Sequence, residues 1–178
     1  MSKLGLGTVQ FGLDYGIANQ SGKIKPLEAQ NILELAKKSN IEFIDTAIDY
    51  GESEKIIGKI GTKGFKIVTK LPPFLEDTTD VELWVEKNVQ SSLQHLGVKS
   101  LYGLLLRSNE NLFGISGKKL IAKLKKIKSS GFVKKIGISI YDPKELDRLM
   151  HLEKFDIVQA PLNIIDRRLE TSGWLSKL

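Results

Sequence analysis

The chain has no cysteine and only two histidines among its 178 residues. The absence of cysteine excludes disulfides, thiol catalysis and cysteine-ligated metal. With so few histidines and only scattered carboxylates, we expect no metal site. No apolar run approaches the ~20 residues that a membrane-spanning helix needs. The start, Met-Ser-Lys-Leu-Gly, lacks the apolar stretch of a signal peptide. These absences favour a soluble, cytoplasmic protein.

The composition is that of a globular protein with a moderate excess of positive charge. A hydrophobic content of 41% over 178 residues is enough to bury a core, so residues 1–178 are predicted to form a single domain. Much of the net charge of +6 comes from the lysines of residues 118–135. No aromatic residues interleave with them for base stacking, so they indicate a solvated helix face and no nucleic-acid partner.

Short apolar segments alternate with amphipathic ones along the whole chain. The spacing predicts helices at Pro26–Ser39, Ser53–Ile60 and Lys118–Ser129, a long helix that follows Pro72-Pro73 and ends at Gly97, a helix begun by Asp142-Pro143, and another around Arg167–Leu178. Strands are predicted at Leu4–Phe11, Phe43–Thr46, Phe65–Leu71, Leu101–Leu106, Lys135–Ile140 and Phe155–Ala160. Serial βα units of this kind require parallel strands with right-handed crossovers.

Two architectures fit serial βα units: an open doubly wound sheet and a (β/α)8 barrel. The doubly wound sheet predicts a glycine-rich phosphate turn after a strand, but Gly5-Leu6-Gly7 lies inside the first predicted strand and no such turn follows it. The barrel needs eight units, typically in ~250 residues. The six units found here indicate an incomplete barrel or a smaller sheet.

Three polar side chains follow neighbouring predicted strands. Asp45 comes at the end of the second strand, Tyr50 five residues later, and Lys70 at the end of the third strand. Since the carboxyl ends of parallel strands share one edge of a sheet, an acid, a phenol and an amine can form one proton-donating site there.

Several segments resemble the aldo-keto reductase family, in the same order and over the whole chain. The most specific are Phe43-Ile-Asp-Thr-Ala-Ile-Asp-Tyr-Gly51 and Ile67-Val-Thr-Lys70. The supporting segments are Leu4–Gly12, Ser92–Gly97, Lys135–Ser139 and Ile157–Asn163. The resemblance implies a TIM-barrel fold, here an α/β barrel of the (β/α)8 type with parallel strands 1–6 only and outer helices. It also implies NADPH-dependent reduction of an aldehyde or ketone, with NADH still open as the cofactor.

The resemblance also implies roles for individual residues. Tyr50 matches the proton donor, Lys70 its partner, and Asp45 the acid that holds and balances the lysine. A neighbouring cation favours the phenolate, so we expect Lys70 to lower the pKa of Tyr50 from its ordinary ~10. Tyr15, in the similar Asp14-Tyr15-Gly16, has no strand-ending Asp before it and is interpreted as a loop residue.

Arg107 stands where the family usually has a histidine at the end of the fourth strand. An arginine has no lone pair to accept a proton, but it can donate hydrogen bonds to a developing oxyanion. It can also bind an anionic substrate bidentately, or crowd the site. We therefore expect reduced or redirected activity.

The resemblance assigns the nicotinamide end of the cofactor to Gly7, Thr8, Ser139 and Gln159. Many relatives have Asn after that Ser, where this chain has Ile140. The cofactor's pyrophosphate and adenosine end belongs to strands 7 and 8, which this chain lacks. We expect the chain to be a piece of a longer reductase, with impaired activity. We also expect Trp174 to pack on structure that the chain lacks. Self-association through the open sheet edges is the other way to cover strands 1 and 6.

Two other functions stay open at this point. A catalytically silent barrel fragment could act as an interaction module, which Arg107 and the absent strands favour. A barrel enzyme could use Lys70 and Arg107 to bind an anionic substrate, but phosphate sites in barrels usually follow strands 7 and 8. The sequence does not identify the substrate beyond a small carbonyl compound.

Overall fold

A computed structural model describes residues 4–74, 78 and 80–178. Its centre is one sheet of six parallel strands that lie side by side in chain order. The strands are β1 (Gly5–Gly7), β2 (Phe43–Asp45), β3 (Lys66–Leu71), β4 (Leu101–Leu106), β5 (Val133–Ser139) and β6 (Ile157–Gln159).

Helices connect successive strands. They are α1 (Val9–Gly12), α2 (Pro26–Lys38), α3 (Ser53–Ile60), α4 (Val81–Leu96), α5 (Gly114–Ser129), α6 (Glu145–Leu152), α7 (Arg168–Thr171) and α8 (Trp174–Lys177), with a 3-10 turn at Glu110–Leu112. The strand order 1-2-3-4-5-6 follows from this connectivity, because each short βα crossover returns the chain beside the strand that it left.

The two faces of the sheet carry different side chains, since neighbouring residues of a strand point to opposite sides. The outer face is mainly apolar and packs beneath the helices; Ile44, Ile67, Leu104 and Ile138 are each no more than 2% exposed. The buried Thr69 on this face donates through Oγ1 to Glu54 Oε1 over 2.7 Å. Burial of such apolar side chains contributes about 1.5–3 kcal/mol each relative to exposure, so this layer is the main source of stability.

The inner face curls on itself. A Cβ added to Gly103 of β4 would come within 2.8 Å of Ile157 Cδ1 of β6, so the two strands approach across the interior. At the carboxyl end, Gln159 Nε2 of β6 donates to Asp45 Oδ1 of β2 over 3.0 Å. Strands four places apart in the sheet therefore touch, which makes the sheet a curled half-barrel.

Some element bounds differ from the prediction. The first strand ends at Gly7, and Val9–Gly12 form a helical turn instead of continuing to Phe11. The helix predicted from Asp142-Pro143 begins at Glu145, after a turn in which Asp142 Oδ1 accepts from Lys144 N over 3.0 Å.

The last predicted helix is divided between α7 and α8. Trp174 was expected to pack on structure that the chain lacks. It packs instead against the core of the chain and donates through Nε1 to Asp147 Oδ1 over 2.9 Å. Its ring therefore has partners within the chain.

The lysine-rich helix α5 is partly paired with carboxylates. Lys123 Nζ lies 2.6 Å from Glu86 Oε2, Lys125 Nζ 2.5 Å from Glu153 Oε2, and Lys128 Nζ 2.6 Å from Asp156 Oδ2. These pairs reduce the positive charge of the helix face. Within the described residues, the helices are all too short or too polar to cross a membrane.

Candidate active site

Polar side chains gather at the carboxyl ends of the strands. Asp45 ends β2, Lys70 is the last residue but one of β3, Arg107 follows β4, and Ser139 and Gln159 end β5 and β6. Parallel strands bring these ends to one edge of the sheet, which is where barrels build active sites.

Lys70 and Asp45 form a half-buried ion pair. Lys70 is 3% exposed, and its Nζ donates to Asp45 Oδ1 over 2.6 Å and to the carbonyl oxygen of Thr46 over 3.0 Å. Burial lowers the pKa of Lys70, and the charge and hydrogen bond of Asp45 oppose that effect only in part. The ammonium is thus fixed at the strand end by two oxygen acceptors.

Tyr50 lies beside this pair, with its ring centroid 5.2 Å from Lys70 Nζ. Burial raises the pKa of the Tyr50 phenol to about 12, with further increases from the charges of Asp45 and Asp49 and an opposing effect of Arg107. The expectation that Lys70 would bring this pKa below ~10 is therefore wrong for this structure. Asp45 neutralises the lysine, and burial of the phenol dominates.

The turn that carries Tyr50 depends on two glycines. A Cβ on Gly12 would lie 1.7 Å from the carbonyl oxygen of Tyr50, so only glycine allows α1 to approach this turn. Gly51 follows with a φ of +56°, in the left-handed region, and its added Cβ would meet Gly12 O at 2.6 Å.

Thr8 anchors the same region from below. It is 1% exposed, its Oγ1 donates to the carbonyl oxygen of Asp45 over 2.9 Å, and Ser53 Oγ lies 3.0 Å from Thr8 Oγ1. The Thr8 hydroxyl is therefore engaged by the protein, and Thr8 holds the end of β1 against the end of β2.

Arg107 forms an ion pair with Asp49 at the mouth of the site. Its guanidinium carbon is 5.7 Å from the centroid of the Tyr50 ring, a cation–π arrangement. Burial by itself lowers the pKa of Arg107, because it disfavours the charged guanidinium. This effect is outweighed by Asp49, Tyr50 and Tyr141, which keep the pKa of Arg107 above its ordinary value.

Of the four residues assigned to the cofactor, Gly7, Ser139 and Gln159 are partly accessible at the carboxyl ends of β1, β5 and β6, whereas Thr8 is buried. Ser139 Oγ is 3.3 Å from Gln159 Oε1, and Gln159 also contacts Asp45, as described above. A Cβ added to Gly7 would have no heavy atom of the protein within 4 Å, so the end of β1 borders open space. A hydroxyl and an amide beside a glycine that borders open space fit a flat ring that carries a carboxamide.

A cavity of about 350 Å³ opens on the inner face of the sheet, lined by Phe43, Asp45, Val68, Leu105, Ile157 and Gln159 among others. A depression of about 530 Å³ lies on the outer surface between α4 and α5, beside the Lys123–Glu86 ion pair. We place the candidate site at the inner cavity, because two of the strand-end polar residues, Asp45 and Gln159, line it.

Sequence reasoning missed two contributors to this site. Asp49 belongs to the segment Phe43–Gly51 that resembles the family. Its ion pair with Arg107 joins residues 58 positions apart, so no local sequence pattern indicates it. Asn109 donates through Nδ2 to Ser139 O over 3.1 Å and to Glu145 Oε2 over 2.7 Å, and so holds the end of β5.

The other tyrosine of an Asp-Tyr-Gly segment, Tyr15, is 59% exposed. Its carbonyl oxygen accepts from Gln10 Nε2 over 2.9 Å and from Asn19 Nδ2 over 3.0 Å, contacts that stabilise a loop. Among the described residues, no group of three or more His, Asp or Glu side chains could hold a metal ion.

The model of the aldo/keto reductase family matches residues 3–176. The chain belongs to this family. The resemblance stated from the sequence motifs is thereby confirmed, and with it membership of a family of oxidoreductases that act on carbonyl compounds.

Among curated proteins, this aldo/keto reductase is 27% identical over 192 residues to the NADH-specific methylglyoxal reductase of Escherichia coli (strain K12). The match covers 96% of the chain and 58% of the relative. The chain thus spans a little more than half the length of that relative.

Solved structures give the same family and fold. A protein of Pseudomonas aeruginosa assigned to the aldo-keto reductases superposes with a TM-score of 0.80 at 26% identity, over 99% of this chain and 69% of that one. The holo form of an aldo-keto reductase from Bacillus halodurans superposes with a TM-score of 0.77 at 19% identity, over 98% and 58%. The prediction of an incomplete (β/α)8 barrel is confirmed.

Proposed function

We propose that the protein reduces a small aldehyde or ketone to an alcohol with a nicotinamide cofactor, and that Tyr50 is the proton donor. The observation that carries the proposal is the meeting of Asp45, Tyr50 and Lys70 at the carboxyl ends of β2 and β3, with Lys70 Nζ 2.6 Å from Asp45 Oδ1 and 5.2 Å from the Tyr50 ring. Membership of the aldo/keto reductase family supports the same reaction class.

The protonation state of Tyr50 suits a donor. A phenol with its pKa raised to about 12 is protonated near neutral pH. It can donate a hydrogen bond to the substrate's carbonyl oxygen and then give its proton to the more basic alkoxide oxygen. Lys70 faces the ring and favours the phenolate that remains, while Asp45 fixes the lysine in place.

The nicotinamide cofactor, when bound, supplies the hydride. Gly7 leaves room for its ring, and Thr8 holds the end of β1 in position. Ser139 and Gln159 offer a hydroxyl and an amide to its carboxamide group. In this proposal Arg107 donates hydrogen bonds near the substrate oxygen, where the family usually has a histidine.

The proposed cofactor is NADPH, which is what the family resemblance implies. The Escherichia coli relative is named as NADH-specific, so NADH is the alternative to compare directly. That relative also suggests methylglyoxal as a first substrate to try.

The test is to titrate the protein with NADPH and with NADH by fluorescence, and then to follow oxidation of each by methylglyoxal. We expect saturable binding and substrate-dependent oxidation of at least one of them. If neither dinucleotide binds and the protein forms a defined oligomer in sedimentation, the catalytically silent interaction module replaces the reductase.

A further inference from the structure

The mouth of the site contains a second ion pair, between Asp49 and Arg107, outside the Asp45–Lys70 pair. Asp49 lies in the turn after β2, and Arg107 directly after β4. Their side chains are 33% and 34% exposed, so both are partly accessible to solvent at the carboxyl end of the sheet. Asp49 therefore holds the guanidinium beside the Tyr50 phenol.

The charges of the site are balanced in pairs. Lys70 has Asp45 as its partner, and Arg107 has Asp49. Two cations at the end of a barrel would attract an anion, but two carboxylates at hydrogen-bonding distance cancel that attraction. The pocket that receives the substrate is then close to electrically neutral.

Arg107 would otherwise be a good receptor for a carboxylate. A guanidinium presents a planar fork of N–H donors that matches a carboxylate bidentately. Asp49 already occupies the Nη1 donor of that fork. A carbonyl substrate that carries a carboxylate meets the negative charge of Asp49 beside Arg107 and is repelled by it, whereas an uncharged carbonyl is not.

We propose that Asp49 is a specificity-determining residue that occupies Arg107 and so makes the site favour uncharged small carbonyl compounds over 2-oxo carboxylates. The inference rests on the proposed function, because it assigns a substrate class to the same site. It also limits the role expected of Arg107. In this arrangement Arg107 donates hydrogen bonds at the mouth of the site and does not bind an anionic substrate.

The variant Asp49→Asn tests the inference, because it keeps the shape of the side chain and removes its charge. The matched control is Glu42→Gln. The Glu42 carboxylate pairs with Lys66 Nζ over 2.6 Å, and the two side chains are 39% and 37% exposed. This pair lies at the amino ends of β2 and β3, so the control removes the same charge at the opposite end of the sheet.

The first readout is the dissociation constant of oxamate, a 2-oxo carboxylate analogue that needs no turnover, measured by NMR titration at low ionic strength. We expect Asp49→Asn to bind oxamate about fivefold more tightly than the wild type, the factor that corresponds to about 1 kcal/mol. Adding Arg107→Met should remove the gain, and Glu42→Gln should leave the wild-type value. Equal affinity in the wild type and Asp49→Asn, including no binding by either, overturns the inference.

The second readout is the ratio of kcat/KM for glyoxylate to that for methylglyoxal, an anionic and an uncharged aldehyde of similar size. We expect this ratio to rise in Asp49→Asn and to stay at the wild-type value in Glu42→Gln. A wild-type protein that reduces neither aldehyde contradicts the proposed function. A wild-type protein that reduces methylglyoxal, together with a ratio that Asp49→Asn leaves unchanged, contradicts only the role of Asp49. Circular dichroism of each variant checks that it is folded.

Discussion

The Tyr50 phenol is protonated near neutral pH, because burial and the charges of Asp45 and Asp49 raise its pKa. The residue types and their spacing were enough to predict that Asp45, Tyr50 and Lys70 meet at the sheet edge. The direction of the Tyr50 pKa was not predictable, because it depends on how deeply the phenol is buried and on which charges are already paired. The structure raises that pKa to about 12, whereas the sequence suggested a decrease.

Lys70→Met should destabilise the fold through its partner. Asp45 would keep its carboxylate in a site where its side chain is only 30% exposed, without the cation 2.6 Å away. Breaking a fully buried pair costs 3–5 kcal/mol; for this half-buried one we expect a loss of about 2 kcal/mol in the free energy of unfolding. Urea denaturation measures it.

The double variant Asp45→Asn/Lys70→Met is the control for that prediction. It removes both charges and should recover at least half of the stability lost by Lys70→Met, because no unpaired charge remains. If the double variant is as unstable as the sum of the two single variants, the ion pair is not the reason for the loss.

At the scale of elements, the sequence was most reliable where an apolar segment had clear signals at both ends. Leu101–Leu106 and Ser53–Ile60 have the predicted bounds. The first strand was predicted too long, because the apolar pattern continues through Phe11. The chain turns after Thr8, where Thr8 N donates to Asp45 O, and this turn brings Gly12 against Tyr50. Such a contact between distant segments leaves no mark on local periodicity.

Glu145, the first residue of α6, links this helix to two neighbouring segments and gives a pH-dependent prediction. Its Oε1 accepts from the backbone N–H groups of Tyr141 and Asp142, each over 2.9 Å, and its Oε2 accepts from Asn109. Burial raises the pKa of Glu145. The hydrogen bonds from Asp142, Asn109 and Tyr141 outweigh burial and bring the pKa below its ordinary value of 4.5.

A carboxylate with a lowered pKa in the folded state binds its proton more readily when the chain is unfolded. Its contribution to stability is therefore present above pH 4.5 and is lost as the pH falls through the folded-state pKa. We expect Glu145→Gln to reduce the slope of unfolding free energy against pH below 4.5, measured by urea denaturation. Glu34→Gln, an exposed carboxylate on α2, controls for loss of one charge; an unchanged slope in Glu145→Gln contradicts the account.

At the scale of the whole molecule, serial βα units were enough to predict parallel strands in chain order. The curl of the sheet was not a consequence of that order alone, because an open sheet has the same connectivity. The curl rests on contacts such as Gln159 to Asp45, between residues 114 positions apart. Periodicity alone did not distinguish a barrel from an open sheet; the barrel was predicted from the family motifs.

The central claim is that Tyr50 supplies the proton in a nicotinamide-dependent reduction, and the chain itself offers a matched control for it. Tyr15 belongs to the same Asp-Tyr-Gly sequence, but it is exposed in the loop after α1. The measurement is kcat for methylglyoxal reduction by the wild type, Tyr50→Phe and Tyr15→Phe, with NADPH and NADH binding measured in parallel.

We expect Tyr50→Phe to lower kcat by at least about 100-fold, the usual scale for loss of a positioned acid, while the dinucleotide dissociation constant stays within about twofold of the wild type. Tyr15→Phe should keep the wild-type kcat. A Tyr50→Phe variant that reduces methylglyoxal at the wild-type rate would contradict the assignment of Tyr50 as the proton donor.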